Sequence, residues 1–271
     1  MPKRLTEAQV AQYREIGFTW PVPVLSPEEV ARYRTELEAF EAATGKPLDF
    51  PERSKSYLLF DWADAVVHHP AVLDAVEDLI GPDILVYHLT MHIKEPGQDA
   101  VVLWHQDDDY FHLDPPEQVT AWVALSEASE RAGCMRMIPG SHRQGPIPHQ
   151  ERSSPNQLIR LGKGIHGRFA DGDGMAVPVA AGEMSLHHTH TAHSSGPNRG
   201  GDRRIGIGIS YIPAHVRPLT EPRSSALPVR GRDRFGHFHP ETRLTEPLSP
   251  AARAAHMRAY RYYTAATGIA D

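Results

Sequence analysis

The stretch Leu103–Pro116, LWHQDDDYFHLDPP, sets a histidine and three consecutive aspartates at the end of an apolar run. His105 and Asp107 are two residues apart, so on a strand both side chains leave the same face. An imidazole nitrogen and a carboxylate oxygen can then bind one metal ion from adjacent directions. A second cluster, His187, His188, His190 and His193, offers a third ligand. His193 stands apart because HSSGPN breaks the strand just after it; the other three read as barrel-lining or exposed side chains. Two histidines and one carboxylate on one side of a metal leave three positions open, the arrangement in which non-haem Fe(II) oxygenases receive co-substrate and O₂. Arg204 follows His193 by eleven residues, at the start of the next apolar run. A tight turn and an antiparallel return would bring it back beside His193. A guanidinium there can grip a dicarboxylate with two parallel bonds, which lysine cannot match. Arg203 is the rival, and strand parity sends only one of the pair inward.

Elements must exist to place these groups, and their signals divide the chain. The first third reads helical. TEAQ at Thr6–Gln9 is a capping box, and SPEE at Ser26–Glu29 places a cap, a first-turn proline and two acids. Val30, Tyr33, Leu37 and Phe40 follow at roughly helical spacing, and a third helix is expected from about Pro70 to a stop at Gly81. From DILVYHLTMHIK to RRIGIGISYIP the chain becomes a series of short β-rich runs, most of them separated by turns such as EPGQD and GPNRGGD. Such a series without alternating long helices implies an antiparallel sandwich or jelly-roll barrel. Residues 143–182 form a Gly- and Pro-rich insertion, either a lid or substrate loop or a surface excursion. A last helix is expected from about Ser249. The expected organisation is one domain over 1–271: a helical N-terminal segment over residues 1–82, a core over 83–216 and a C-terminal extension over 217–271.

Bulk properties narrow the partners. The 28 Lys and Arg against 34 Asp and Glu give a formal charge of −6, with no basic patch suited to nucleic acid. The one cysteine, Cys134, excludes an internal disulfide framework, fits a reducing cytoplasm and reads as a small core residue. The polar start MPKRLTEAQ is no signal peptide, and no apolar window is long enough for a membrane span. Oligomeric state leaves no legible mark.

The runs WHQD, WVAL, GCMRMIPGSHRQG and AGEMSLHHTHTAHSSGPNRGGDRRIGIGISYIP together resemble the phytanoyl-CoA dioxygenase (PhyH) family of Fe(II)/2-oxoglutarate oxygenases, over roughly residues 5–216. The resemblance implies a mainly β fold with flanking helices around a double-stranded β-helix (jelly-roll, cupin-like) core. It implies His105, Asp107 and His193 as iron ligands, with Fe(II), 2-oxoglutarate and O₂ as cofactors. Arg204 matches the arginine that holds the far carboxylate of 2-oxoglutarate. Ser195 and Trp122 match further residues of that pocket, and Lys94 in YHLTMHIK resembles another co-substrate contact. Retention of Asp107 argues against the related halogenases, in which a small residue stands at that position.

On the substrate side His88 resembles a substrate contact, unless its face packs against the N-terminal helices. Lys55, with Arg53, recurs near the pocket mouth, or is a solvated basic pair. Asp108 should face away from the metal, as should Gln106. Asp109 and Tyr110 are candidates for the pocket rim if the strand continues that far; otherwise the acids are solvated. The implied reaction is hydroxylation of an unactivated C–H of a small molecule, with release of succinate and CO₂. The substrate would be a secondary metabolite, an amino-acid-like compound, or an amine or phosphonate. Two rivals are a non-catalytic jelly-roll binding module and a cupin-type metalloenzyme that does not use 2-oxoglutarate.

Overall fold

The computed structural model describes residues 2–151, 156–158 and 163–268. Its principal strands are β1 (Phe18–Pro23), β2 (Ile84–Lys94), β3 (Val102–His105), β4 (Val119–Ala124), β5 (Met135–Met137), β6 (Met175–Val177), β7 (Glu183–His188), β8 (His193–Ser195), β9 (Arg204–Pro213), β10 (Ser225–Arg230) and β11 (His239–Pro240). The major sheet has the order β1-β7-β4-β9-β2-β10-β11, and the minor sheet β3-β8-β5-β6. Every pairing in the two is antiparallel except β10 with β11. Phe18 and Trp122 of the major sheet pack on Met135, Met137 and Val177 of the minor one, so the sheets face each other. This is the jelly-roll core expected from the many short strands.

The run RIGIGISYIP shows how sequence pattern fixes the faces. Ile205, Ile207, Ile209 and Tyr211 of β9 join the large core cluster with Val119, Ala121 and Val123 of β4 and Leu89 and Met91 of β2. Helices α1 (Glu7–Ile16), α2 (Pro27–Thr44), α3 (Asp61–Val67) and α4 (Pro70–Ile80) cover that outer face through residues such as Leu37, Val66 and Val76. The alternate residues Arg204, Gly206, Gly208 and Ser210 stand opposite Lys94, His92, Thr90 and His88. That row faces inward, so the alternative in which the His88 face packs against the N-terminal helices does not hold.

The expected caps form. Thr6 accepts from Gln9 N at 3.1 Å and Ser26 from Glu29 N at 3.2 Å, each closing a capping box worth about 1 kcal/mol. Gly17 ends α1 in the left-handed conformation at φ +91°. Short α3 was not expected, because its seven residues offer fewer than two full periods to read. A four-residue helix, α5 (Asp108–Phe111), follows β3 directly. The C-terminal extension is woven into the core. Its strand β10 adds to the major sheet beside β2, and its helix α6 (Pro250–Thr267), capped by Ser249, packs Ala259 on the core. In the 143–182 insertion, Ile147, Ile165 and Phe169 pack on Trp104, laying it along β3. Its residues 152–155 and 159–162 lie outside the described residues. None of the described helices is long and apolar enough to cross a membrane.

Candidate active site

His105 closes β3 and His193 opens β8, and the two are direct partners in the antiparallel pair. Their rings lie 4.0 Å apart. His105 Nδ1 bonds the Leu103 carbonyl at 2.8 Å, and His193 Nδ1 bonds Thr191 O at 2.9 Å. Carbonyls only accept, so both Nδ1 atoms carry the proton and both Nε2 lone pairs are free. These Nε2 atoms lie 3.7 and 3.8 Å from Asp107 Oδ1. One donor atom from each of the three residues falls within 4.8 Å of the others, a spacing that can hold a metal ion.

The route by which Asp107 arrives differs from the expected one. The strand stops at His105, and Asp107 has helical backbone angles (φ −61°, ψ −33°) at the entry to α5. A turn into a helix, rather than strand alternation, therefore brings it beside His105. Its second oxygen is held separately: Thr120 donates to Oδ2 at 2.6 Å, and His187 Nε2 lies 3.4 Å away. Burial by itself would raise the Asp107 carboxyl, but His187, His193 and His105 outweigh it and hold the group well below the usual carboxylate range. Burial lowers both His105 and His193, keeping them neutral as metal ligands require.

Arg204 is 1% exposed and lines the same cavity. Its guanidinium lies 5.2 Å above the Trp122 ring, Nη1 donates to Gly133 O at 2.7 Å, and Nε has no hydrogen-bond partner. Burial brings its pKa down to about 10, so it remains a cation at neutral pH. Arg203 points the other way, to Glu41 at 2.6 Å and Glu95 at 2.8 Å, which settles the parity question in favour of Arg204. Ser195 and Trp122 line the cavity with it. Lys94, opposite Arg204, is fully buried behind this wall. Its ammonium donates to Ser195 Oγ at 2.8 Å and Gly196 O at 2.6 Å, so it reaches the cavity only through Ser195.

Of the expected substrate residues, His88 and Tyr110 line the cavity, whereas Asp109 and Lys55 are not on its described wall. Asp109 is carried round by α5 towards His149 (3.5 Å) and Lys163 (3.7 Å), because a helix does not preserve the two-residue alternation that was to align it with Asp107. Asp108 turns to His190 at 3.2 Å, and Gln106 is spent on Gly145 O and His190 O. Lys55 is neither a pocket cation nor solvated. Its ammonium pairs with Glu241 at 2.6 Å and also donates to Tyr87 O and Ser225 O, all buried. Sequence reasoning missed Thr120, although it shares strand parity with Trp122. It treated His187 only as a barrel-lining or exposed side chain, and it missed Tyr260 and Tyr263 of α6, which no local signal connects to residues about 150 positions earlier.

Fold and site together define a jelly-roll oxygenase with a two-histidine, one-carboxylate metal centre and a buried cation in the same cavity. The phytanoyl-CoA dioxygenase (PhyH) family model matches residues 13–206, and the chain belongs to that family. It is similar to a probable alpha-ketoglutarate-dependent hypophosphite dioxygenase of Stutzerimonas stutzeri, 26% identical over 231 residues covering 78% of this chain and 80% of the relative. L-proline trans-4-hydroxylase of Streptomyces griseoviridis is 28% identical over 229 residues, covering 73% and 85%. Among solved structures, the non-haem monooxygenase ThoJ in its apo form superposes with a TM-score of 0.84 at 32% identity, covering 96% of this chain and 97% of ThoJ. The protein is thus an Fe(II)/2-oxoglutarate-dependent dioxygenase, with Fe(II), 2-oxoglutarate and O₂ as its cofactors.

Proposed function

We propose that the protein hydroxylates an unactivated C–H bond of a small organic molecule, with His105, Asp107 and His193 as iron ligands. Arg204, Ser195 and Trp122 seat the 2-oxoglutarate, and Lys94 fixes Ser195 from behind. The observation that carries this reading is a buried guanidinium, one nitrogen unpartnered, on the wall of the cavity where three metal donors converge. A cupin-type metalloenzyme without 2-oxoglutarate has no use for that arginine. When bound, iron and 2-oxoglutarate turn O₂ into the oxidant for a C–H bond, releasing succinate and CO₂. The chain's own role is to present two neutral Nε2 atoms and one carboxylate oxygen, to anchor the dicarboxylate by charge, and to exclude water. The single buried Cys134 fits a reducing compartment, and we place the enzyme in the cytoplasm.

Anaerobic addition of Fe(II) and 2-oxoglutarate to the metal-free protein is expected to give a visible charge-transfer band, and a metabolite panel scored by succinate release identifies the substrate. Arg204→Ala is expected to raise the apparent KM for 2-oxoglutarate on the order of 100-fold, leaving that for the substrate nearly unchanged. Absence of the band, or an Arg204→Ala protein with normal 2-oxoglutarate dependence, would sink the reading.

A further inference from the structure

The inward row of the major sheet has two chemically different ends. Arg204 opposite Lys94 stands at one, and Ser210 opposite His88 stands six residues along at the other, about 20 Å away at strand spacing. Around His88 the wall is aromatic. The His88 ring stacks on Tyr263 at 3.8 Å with 13° between planes, Phe111 lies 6.0 Å from it, and Tyr110 and Tyr260 also line the cavity. Among the described residues, Arg204 is the sole lysine or arginine on the cavity wall, and Asp107 its sole carboxylate. Lys55, a candidate cation for an anionic substrate, is not on that wall and is paired with Glu241.

His88 adds one polar feature. Its Nε2 is engaged by Thr90 Oγ1 at 2.6 Å, while Nδ1 is buried without a hydrogen-bond partner. An unpaired buried nitrogen costs free energy until something bonds to it. Burial, then the nearby Lys55 and His92, keep this imidazole neutral. The aromatic end therefore offers flat faces and one neutral hydrogen-bonding atom. A carboxylate, phosphonate or acyl-CoA phosphate placed there would be buried without a counter-ion.

Resting on the 2-oxoglutarate reading above, we propose that the portion of the substrate presented to the metal is a planar ring without negative charge. It inserts among Tyr110, Phe111, Tyr260 and Tyr263 and bonds to His88 Nδ1 through one polar group. The helix α6 is then a specificity element, since it contributes two of these four rings.

Saturation-transfer NMR on the protein loaded with Zn(II) and 2-oxoglutarate tests this with three probes: benzamide, benzoate and cyclohexanecarboxamide. Benzamide is expected to bind about tenfold more tightly than either of the others, the worth of one aromatic stack and of an avoided buried charge. Tyr263→Ala is expected to lose about that factor, while Tyr263→Phe, which keeps the stack, stays close to the unmodified protein. Benzoate or cyclohexanecarboxamide binding as well as benzamide overturns the proposal, and that comparison needs no variant to fold. Calorimetry of 2-oxoglutarate against the zinc protein judges the underlying reading separately. If 2-oxoglutarate does not bind, the same three probes on the zinc protein alone still decide the ring preference.

Discussion

Asp107 can bind a metal through one oxygen because its other oxygen is already occupied. Thr120 and His187 hold Oδ2, leaving Oδ1 towards the two Nε2 atoms. A carboxylate so held is directional, and partners of this kind typically set 10–100-fold in metal affinity, by analogy with other sites. Thr120→Val is close to isosteric and removes the hydroxyl while sparing the three ligands. It also strands Gln118 Nε2, which donates to the same oxygen. Metal affinity in competition with a chelator is expected to fall by about 10- to 100-fold. An unchanged affinity would show that the Oδ2 contact has no bearing on the metal.

The β9 strand joins sheet construction to co-substrate geometry. A Cβ at Gly206 would fall 1.8 Å from Trp122 Cζ2, inside the ring that lies beneath Arg204. Gly206→Ala is therefore expected to destabilise the fold by about 1–3 kcal/mol through overpacking. It should also raise the KM for 2-oxoglutarate by displacing Trp122, which melting and a 2-oxoglutarate titration read side by side. The C-terminal extension is fastened by a different device. Lys55, in a left-handed backbone conformation at φ +48°, pairs with Glu241, whose other oxygen accepts from Tyr57 at 2.6 Å. Glu241→Ala leaves the ammonium buried and unpaired, at a cost of about 3–5 kcal/mol, whereas replacing both partners by apolar residues is expected to cost far less. Equal losses in the single and double variants would refute the pairing as the source of the effect.

Across the whole molecule, buried histidines tie stability to pH. Burial lowers His188 to about 4 and lowers His256 and, further, His88. In the unfolded chain each titrates near 6.5. Between the folded and unfolded values the unfolded chain binds more protons, so stability rises with pH in that window. Their contribution is whole above about pH 6.5 and is lost as pH falls towards the lowered folded values. The metal-free protein is expected to melt several degrees lower at pH 5 than at pH 7.5, and His188→Gln to flatten some of that slope. A melting temperature indifferent to pH over this range would contradict the assignment of neutral buried imidazoles.

The sequence by itself specified the donor types, the alternation in β9 that sends only one of Arg203 and Arg204 inward, and the caps of the first two helices. These depend on local alternation and end chemistry, which a linear string carries. Three matters were decided only in the folded chain. Asp107 meets His105 through a helical turn, so the parity extended to Asp109 failed where the strand ended. Lys55 found Glu241, 186 positions away, and left the cavity. Tyr260 and Tyr263 reached the site because α6 packs back across it. Contacts between distant segments depend on how whole elements pack, and no local pattern of residues records that.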